Sequence, residues 1–253
     1  MITHGHAVGM VESDGTLVAT ALVLPFEARI GWISMVLVTP ARRRQGLATR
    51  LLHHCLTHCD NAGMTPILDA TDAGRQVYTR LGFTACYAIR RWERTPSAEA
   101  ATPVSFDAVP AIRPLTPADL DGLATWDRAR FGANRAPVLH HCRQAAPHLA
   151  YIAEKAGGTP TGYLLGRSGH RATQLGPLVT DDEAVARRLL QAALAKATGR
   201  VYIDVPETQT AFERELAEAG FTKQRGLMRM VKGTASPLPP PDAIYAIAGP
   251  ELG

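Results

Sequence analysis

Little in this chain of 253 residues advertises a metal scaffold, a membrane or a nucleic acid. Its four cysteines, Cys55, Cys59, Cys86 and Cys142, lack the paired short spacing of a disulfide framework or a zinc knuckle. Aromatic residues make up only 6% of the chain, and none is interleaved with basic residues as a base-stacking platform. No apolar run approaches the length of a membrane-spanning helix, and the opening MITHGHAVGM has no apolar signal core. The expected partners therefore include neither membrane nor nucleic acid, and the expected location is cytoplasmic. The net charge of +4 is modest and suits an anionic ligand. With 46% hydrophobic and 20% charged residues, the chain has enough apolar side chains to fill packed cores.

What is present is concentrated in residues 41–52, ARRRQGLATRLL. They follow an apolar run, WISMVLV at 32–38, that reads as a buried strand. They lead into a helix whose apolar residues Leu47, Ala48, Leu51, Leu52, Cys55, Leu56 and Cys59 recur on one face. The loop between holds Arg42, Arg43, Arg44, Gln45 and Gly46. A helix start offers unpaired N–H groups and the positive end of a dipole. Gly46 lets backbone approach an anion, and the arginines add mobile charge. This is a polyphosphate cradle. The phosphates of a nucleotide, of coenzyme A or of a nucleic acid all fit such a loop. No Gly-Lys-Ser/Thr follows, so it is not a Walker loop.

The spacing Arg43-x-x-Gly46-x-Ala48, between a strand and a helix, resembles the Q/R-x-x-G-x-G/A motif of the GCN5-related N-acetyltransferases. Downstream, Tyr78-Thr79-Arg80-Leu81-Gly82-Phe83 resembles the family's late Y-x-x-L-G-F segment, at about the usual distance. The resemblance implies an acetyl-CoA cofactor and transfer of an acetyl group to a primary amine, expected to be that of a small molecule. It places the pyrophosphate at Arg43, Arg44, Gln45, Gly46, Leu47 and Ala48, with Thr49 as a further hydroxyl donor. It places the pantetheine arm along the backbone of Met35, Leu37 and Val38, like an added strand. Tyr78 carries over as the general acid, since a phenol with a pKa near 10 is protonated at neutral pH. Asp69, at the end of a buried-looking strand, is a candidate base, as is Glu27 on the preceding turn. The bland reading of Asp69 is structural, because Asp204 recurs in the same place of a second repeat. The other function class weighed is a non-catalytic acyl-CoA-binding or regulatory protein.

That repeat is internal. Leu37-Val38-Thr39 recurs as Leu178-Val179-Thr180, Ile67-Leu68-Asp69 as Tyr202-Ile203-Asp204, and the stretch from Leu81-Gly82-Phe83-Thr84 through Arg91-Trp92 as Ala219-Gly220-Phe221-Thr222 through Arg229-Met230. The expected fold class is therefore α/β with a mixed sheet, in two tandem acetyltransferase-like domains. The expected division is 1–94 with the cofactor site, a linker at 95–110, a second domain at 111–233 and a tail at 234–253. The second copy carries Asp181, Asp182 and Glu183 where the first has glycine and cations, and its loop is shorter, so it is expected to bind no cofactor. It has room for a first strand at 111–114, a helix opened by Thr116 and Pro117, and a second helix near 136–144. The first copy is expected to lack its first strand and both of these helices.

Three histidines, His53, His54 and His58, share the first helix with the two thiols. They read as a solvated ridge without a third ligand, so no metal is expected. His4 and His6 read as surface residues of the terminus. The tail couples a stiff segment, PLPPP, to apolar Ile244, Tyr245 and Ile247. It is expected to pack against the first copy and cover an exposed strand edge. A second chain, as a homodimer, is the alternative cover.

Overall fold

The computed structural model describes residues 5–95, 110–233 and 236–253. The linker expected at 95–110 lies, apart from its two ends, outside the described residues. The chain forms two compact units. Unit 1 takes residues 1–86, 228–237 and 250–253, and unit 2 takes 87–227 and 238–249.

In unit 1, β1 (His6–Val11), β2 (Leu17–Phe26) and β3 (Ile30–Val38) form an antiparallel meander. Helix α1 (Leu47–Asn61) then crosses over, so that β4 (Thr65–Ala70) runs parallel to β3. Helix α2 (Asp72–Arg80) follows, started by Thr71, whose side chain accepts from the Gly74 N–H. The apolar face foreseen for α1 is the buried one: Leu51, Leu52, Cys55, Leu56 and Cys59 sit in a core with Ala21, Val23, Ile33, Leu68 and Phe83. Burying side chains of this size contributes about 1.5–3 kcal/mol each. The packing is close: a Cβ on Gly31 of β3 would stand 2.4 Å from the Cys59 sulfur.

Unit 2 repeats the plan with more elements in front. β6 (Ala111–Pro114) is followed by α3 (Leu120–Phe131) and α4 (Ala136–Ala145), then β7 (Tyr151–Glu154), β8 (Pro160–Ser168), β9 (Thr173–Thr180), α5 (Glu183–Leu194), β10 (Val201–Pro206) and α6 (Thr210–Glu218). The backbone N–H and hydroxyl of Thr116 both donate to the Asp119 carboxylate at 2.7 Å, which secures the turn into α3. The meander β6–β7–β8–β9 is antiparallel, and β10 joins β9 in parallel through α5. Among the described residues, β1 is the first element of unit 1, with no counterpart of β6, α3 and α4 ahead of it.

The units are not the sequence repeats. The closing strand of each repeat is shared out: β5 (Phe83–Arg94) gives residues 87–94 to unit 2, and β11 (Thr222–Lys232) gives 228–232 to unit 1. There β11 pairs with β4, Arg229 opposite Asp69, while in unit 2 β5 pairs with β10, Arg91 opposite Asp204. Each match ends in a bidentate ion pair. Arg229 reaches Asp69 at 2.9 and 2.9 Å, and Arg91 reaches Asp204 at 2.8 and 2.7 Å.

The tail does not cover the edge of the first copy as expected. Its strand β12 (Ile244–Ala246) pairs antiparallel with β9 in unit 2, and residues 238–249 belong to that unit, while residues 250–253 return to unit 1, where the Trp32 indole donates to the Pro250 carbonyl at 3.1 Å. The apolar side chains find a deeper berth in unit 2 than an exposed edge offers: Ile244, Tyr245, Ala246, Ile247 and Ala248 are all buried.

Candidate active site

The site is built where β3 hands over to α1. Pairing of β3 with β4 runs through Ile30, Gly31 and Trp32. Past Trp32 the two strands part. Pairing with β2 continues, but its register slips: Leu22 faces Ser34 and Thr20 faces Leu37, so two residues of β3 oppose one of β2. This is a β-bulge. Met35 within it has φ +53°, and the Thr20 hydroxyl donates to the Met35 carbonyl at 2.9 Å. The bulge turns Met35 and Leu37 outward, 46% and 56% exposed. From Ser34 to Val38, no strand among the described residues pairs with β3 on its β4 side. Backbone N–H and C=O groups are thereby offered to an extended ligand.

A short 3-10 turn at Pro40–Arg42 follows, and Arg43 is extended. Arg44 and Gly46 are left-handed, at φ +60° and +76°. Gly46 is the residue before α1, with no side-chain cap, and the Arg50 N–H closes the first turn on its carbonyl at 3.0 Å. The N–H groups of Leu47, Ala48 and Thr49 thus lack partners within the helix. A Cβ on Gly46 would meet nothing within 4 Å, so the approach to the helix start is open. Arg42 is committed to Glu12. Arg43 donates to the Val38 carbonyl at 3.4 Å, and the Arg44 side chain is exposed. Unpaired N–H groups, a glycine, two available guanidinium groups and a splayed strand fit a diphosphate joined to an extended amide chain.

Tyr78 stands on α2, half-buried. Its ring meets Phe83 edge-on at 5.9 Å and lies over Gly74, where a Cβ would come within 2.8 Å of it. It packs against the same core as Val36, Val38 and Leu47. Burial raises its pKa above the ordinary phenol value, which holds the proton on Oη at neutral pH.

The structure does not bring the candidate bases to this place as free groups. The Asp69 side chain is fully buried, 0% exposed, and clamped by Arg229, itself 3% exposed and stacked 4.5 Å from the Trp32 ring. A carboxylate held this way serves the fold. Glu27 lies in the turn between β2 and β3, at the end of β3 remote from the bulge. The sequence reading named the cradle but missed the bulge and Arg229. The recurrence of Asp with Arg in both repeats was the signal for the second.

On α1, burial pushes the Cys55 and Cys59 thiols up to about 11 and about 12, so they are inert packing groups. The histidines do more than form a ridge. His6, the first residue of β1, stacks on His58 with ring centres 4.0 Å apart and on His54 at 5.3 Å.

At the start of α5 in unit 2 the described residues are arranged differently. Asp182 caps α5, accepting from the N–H groups of Ala184 and Val185 at 2.8 and 3.4 Å, and Asp181 pairs with Arg130. A cavity of about 360 Å³ opens there, lined by Trp126, Arg130, Thr161, Asp181, Asp182 and Val185. Asp182 there occupies N–H groups at the start of α5 that a pyrophosphate would need.

Comparison with known proteins agrees with this geometry. Residues 2–83 match the profile of the acetyltransferase (GNAT) family, and residues 123–246 match that of an acetyltransferase (GNAT) domain. The uncharacterized N-acetyltransferase YitH of Bacillus subtilis is 25% identical over 88% of this chain and 77% of its own. A holothin acyltransferase of a Pseudoalteromonas species is 26% identical over 98% and 81%. The solved structure of a tandem GNAT protein from the clavulanic acid biosynthesis pathway superposes with a TM-score of 0.61 at 17% identity, covering 92% of this chain and 85% of that one. No helix among the described residues is long and apolar enough to cross a membrane. Two domain matches, a bulged strand that parts from its neighbour and a glycine-opened helix start together establish that this chain is an acetyltransferase of the GCN5-related N-acetyltransferase superfamily, of the tandem type.

Proposed function

We propose that unit 1 uses acetyl-CoA to acetylate a primary amine of a small molecule, and that unit 2 holds no cofactor. The observation that carries this is the junction of β3 and α1, where a free strand edge leads into arginines and a glycine-opened helix start, as the pantetheine arm of coenzyme A leads into its pyrophosphate. When bound, acetyl-CoA supplies an activated thioester. In this reading the N–H groups of Gly46, Leu47, Ala48 and Thr49, with Gln45, Arg43 and Arg44, hold the pyrophosphate. The backbone of Met35, Leu37 and Val38 aligns the pantetheine arm. The Tyr78 Oη donates its proton to the departing thiolate. The ion pair with Arg229 removes Asp69 from the role of base, so an amine that arrives neutral gives up its surplus N–H proton to solvent, and solvent returns a proton to Tyr78.

The small-molecule acceptor is supported by relatives named for holothin acylation and for the clavulanic acid pathway. Titration with acetyl-CoA, followed by a thiol-release assay across a panel of small amines and amine-bearing peptides, tests the reading. Release of coenzyme A dependent on a small amine is expected. Binding without transfer to any amine supports the non-catalytic reading instead.

A further inference from the structure

The two units part their strands in the same way but treat the resulting wedge differently. In unit 2, β9 and β10 pair through Thr173–Val201, Gln174–Tyr202 and Leu175–Ile203 and then separate, and β9 carries a bulge after Leu175. The chain's own β12 lies in this wedge. It pairs with β9 at Val179 and Leu178. The Thr180 N–H donates to the Ala243 carbonyl at 3.0 Å, and the Ile247 N–H donates to the Asp204 carbonyl of β10 at 3.0 Å. Backbone bonds thus reach both walls.

Side chains complete the grip. Gln209 donates to the carbonyls of Pro241, Asp242 and Ile244 at 3.2, 2.9 and 3.2 Å. Tyr245 meets Phe212 edge-on at 5.2 Å. Ala246 and Ala248 are 0% exposed, so larger residues have no room there. Gly176, at φ +135°, completes the fit from the β9 side: a Cβ on it would fall 2.0 Å from the Ile247 carbonyl oxygen.

We propose that unit 2 is a peptide-binding module. Its wedge takes an extended apolar peptide with small residues at alternate positions by strand addition, and residues 242–248 are its resident ligand. The module goes beyond the activity proposed for unit 1 and does not depend on it. It also gives a second reason, besides the acidic loop, for unit 2 to take no coenzyme A: the strand-like berth is filled by the chain itself.

The test uses the full chain with a site-specific protease sequence inserted after Pro237, cleaved once folded. The expected result is that the tail stays bound through gel filtration and exchanges with a fluorescent synthetic peptide of residues 238–249. Unlabelled peptide should compete, the same peptide with Ala246→Glu should compete at least ~30-fold less well, and coenzyme A should not compete at all. A tail that leaves at micromolar concentration, or a scrambled peptide that competes equally, overturns the proposal. In the uncut chain, the amides of Thr180, Ile244 and Ile247 should exchange slowly with solvent deuterium, and free exchange at these three overturns it as well. Coenzyme A binding by the same sample is read separately. Its loss counts against the site in unit 1 and leaves the peptide module standing.

Discussion

Replacing Arg229 with methionine separates a structural Asp69 from a catalytic one. In the native chain both side chains are out of water, 3% and 0% exposed, and joined by two hydrogen bonds of 2.9 Å. Removing the cation leaves a buried carboxylate without the charge and the two hydrogen bonds that Arg229 supplied. Breaking a buried pair from one side costs about 3–5 kcal/mol. In a chain of this size each kcal/mol shifts the melting temperature by about 2–4 °C, so a fall of roughly 6–20 °C is expected. Replacing both partners by apolar residues of similar volume is often near neutral. The double variant Asp69→Leu/Arg229→Met should therefore recover most of the loss. Urea denaturation followed by circular dichroism and by tryptophan fluorescence measures all three proteins, and thiol release measures turnover in the same samples. The double variant should fold and keep turnover within about tenfold of the parent, well short of the 10²–10⁴-fold loss that follows removal of a general base. An Asp69→Asn protein with an unchanged unfolding midpoint and that larger loss of kcat would show the reasoning to be wrong.

Other expectations concern the cradle, the stoichiometry and two titrating groups. Gly46→Glu places a charged side chain in the open approach to α1 at a left-handed backbone position, and should abolish coenzyme A binding in calorimetry. Arg44→Ala should weaken it by about 1–3 kcal/mol, the range for hydrogen bonds to a charged group, and unchanged affinity in both variants would remove the pyrophosphate from this loop. The same calorimetry should find one coenzyme A per chain, and a value of two contradicts the reading of unit 2. Tyr78→Phe keeps the ring that packs on Phe83 and should leave binding intact while lowering kcat by ~10²–10⁴-fold if proton donation limits the rate. Burial, His58 and His54 all lower the pKa of His6, so its folded value lies below its unfolded 6.5. The stability it contributes is complete above pH 6.5 and is lost as the pH falls below that value. His6→Phe should flatten this part of the melting profile between pH 7 and 5, and an unchanged profile refutes it.

Much of the scaffold was legible because local rules and tertiary contacts agree in it. The helical spacing of Leu51, Leu52, Cys55, Leu56 and Cys59 marked the buried face of α1, and Thr116 with Pro117 marked the turn that opens α3. The strand at Ala111–Pro114 falls where the sequence placed it. The bulge in β3 was hidden because WISMVLV is apolar at every position but Ser34, so one extra residue breaks no visible alternation. The sharing of β5 and β11 was hidden for a different reason. A strand with the same side chains pairs as well with a neighbour's sheet as with its own, and only long-range geometry chooses. The apolar positions of the tail were plain, but its partner strand was not, because Ile244 and Ile247 carry no mark of which wedge they enter. His6 was read as surface because a lone histidine near a terminus gives no hint of the two rings on α1.

The way the closing strands are shared out also sets a schedule for the newborn chain. Ala70 ends β4, yet the strand that pairs with it begins to do so at Met228, roughly 160 residues later. At ribosomal speeds of about 5–20 residues per second, that interval lasts roughly ten to thirty seconds. Throughout it, one side of β4 has no strand to pair with, and Asp69 has no arginine. An exposed edge beside a carboxylate meant for burial is a poor resting state. The amino-terminal sheet therefore waits with an open edge, and it is complete only once β11 has emerged to pair with β4.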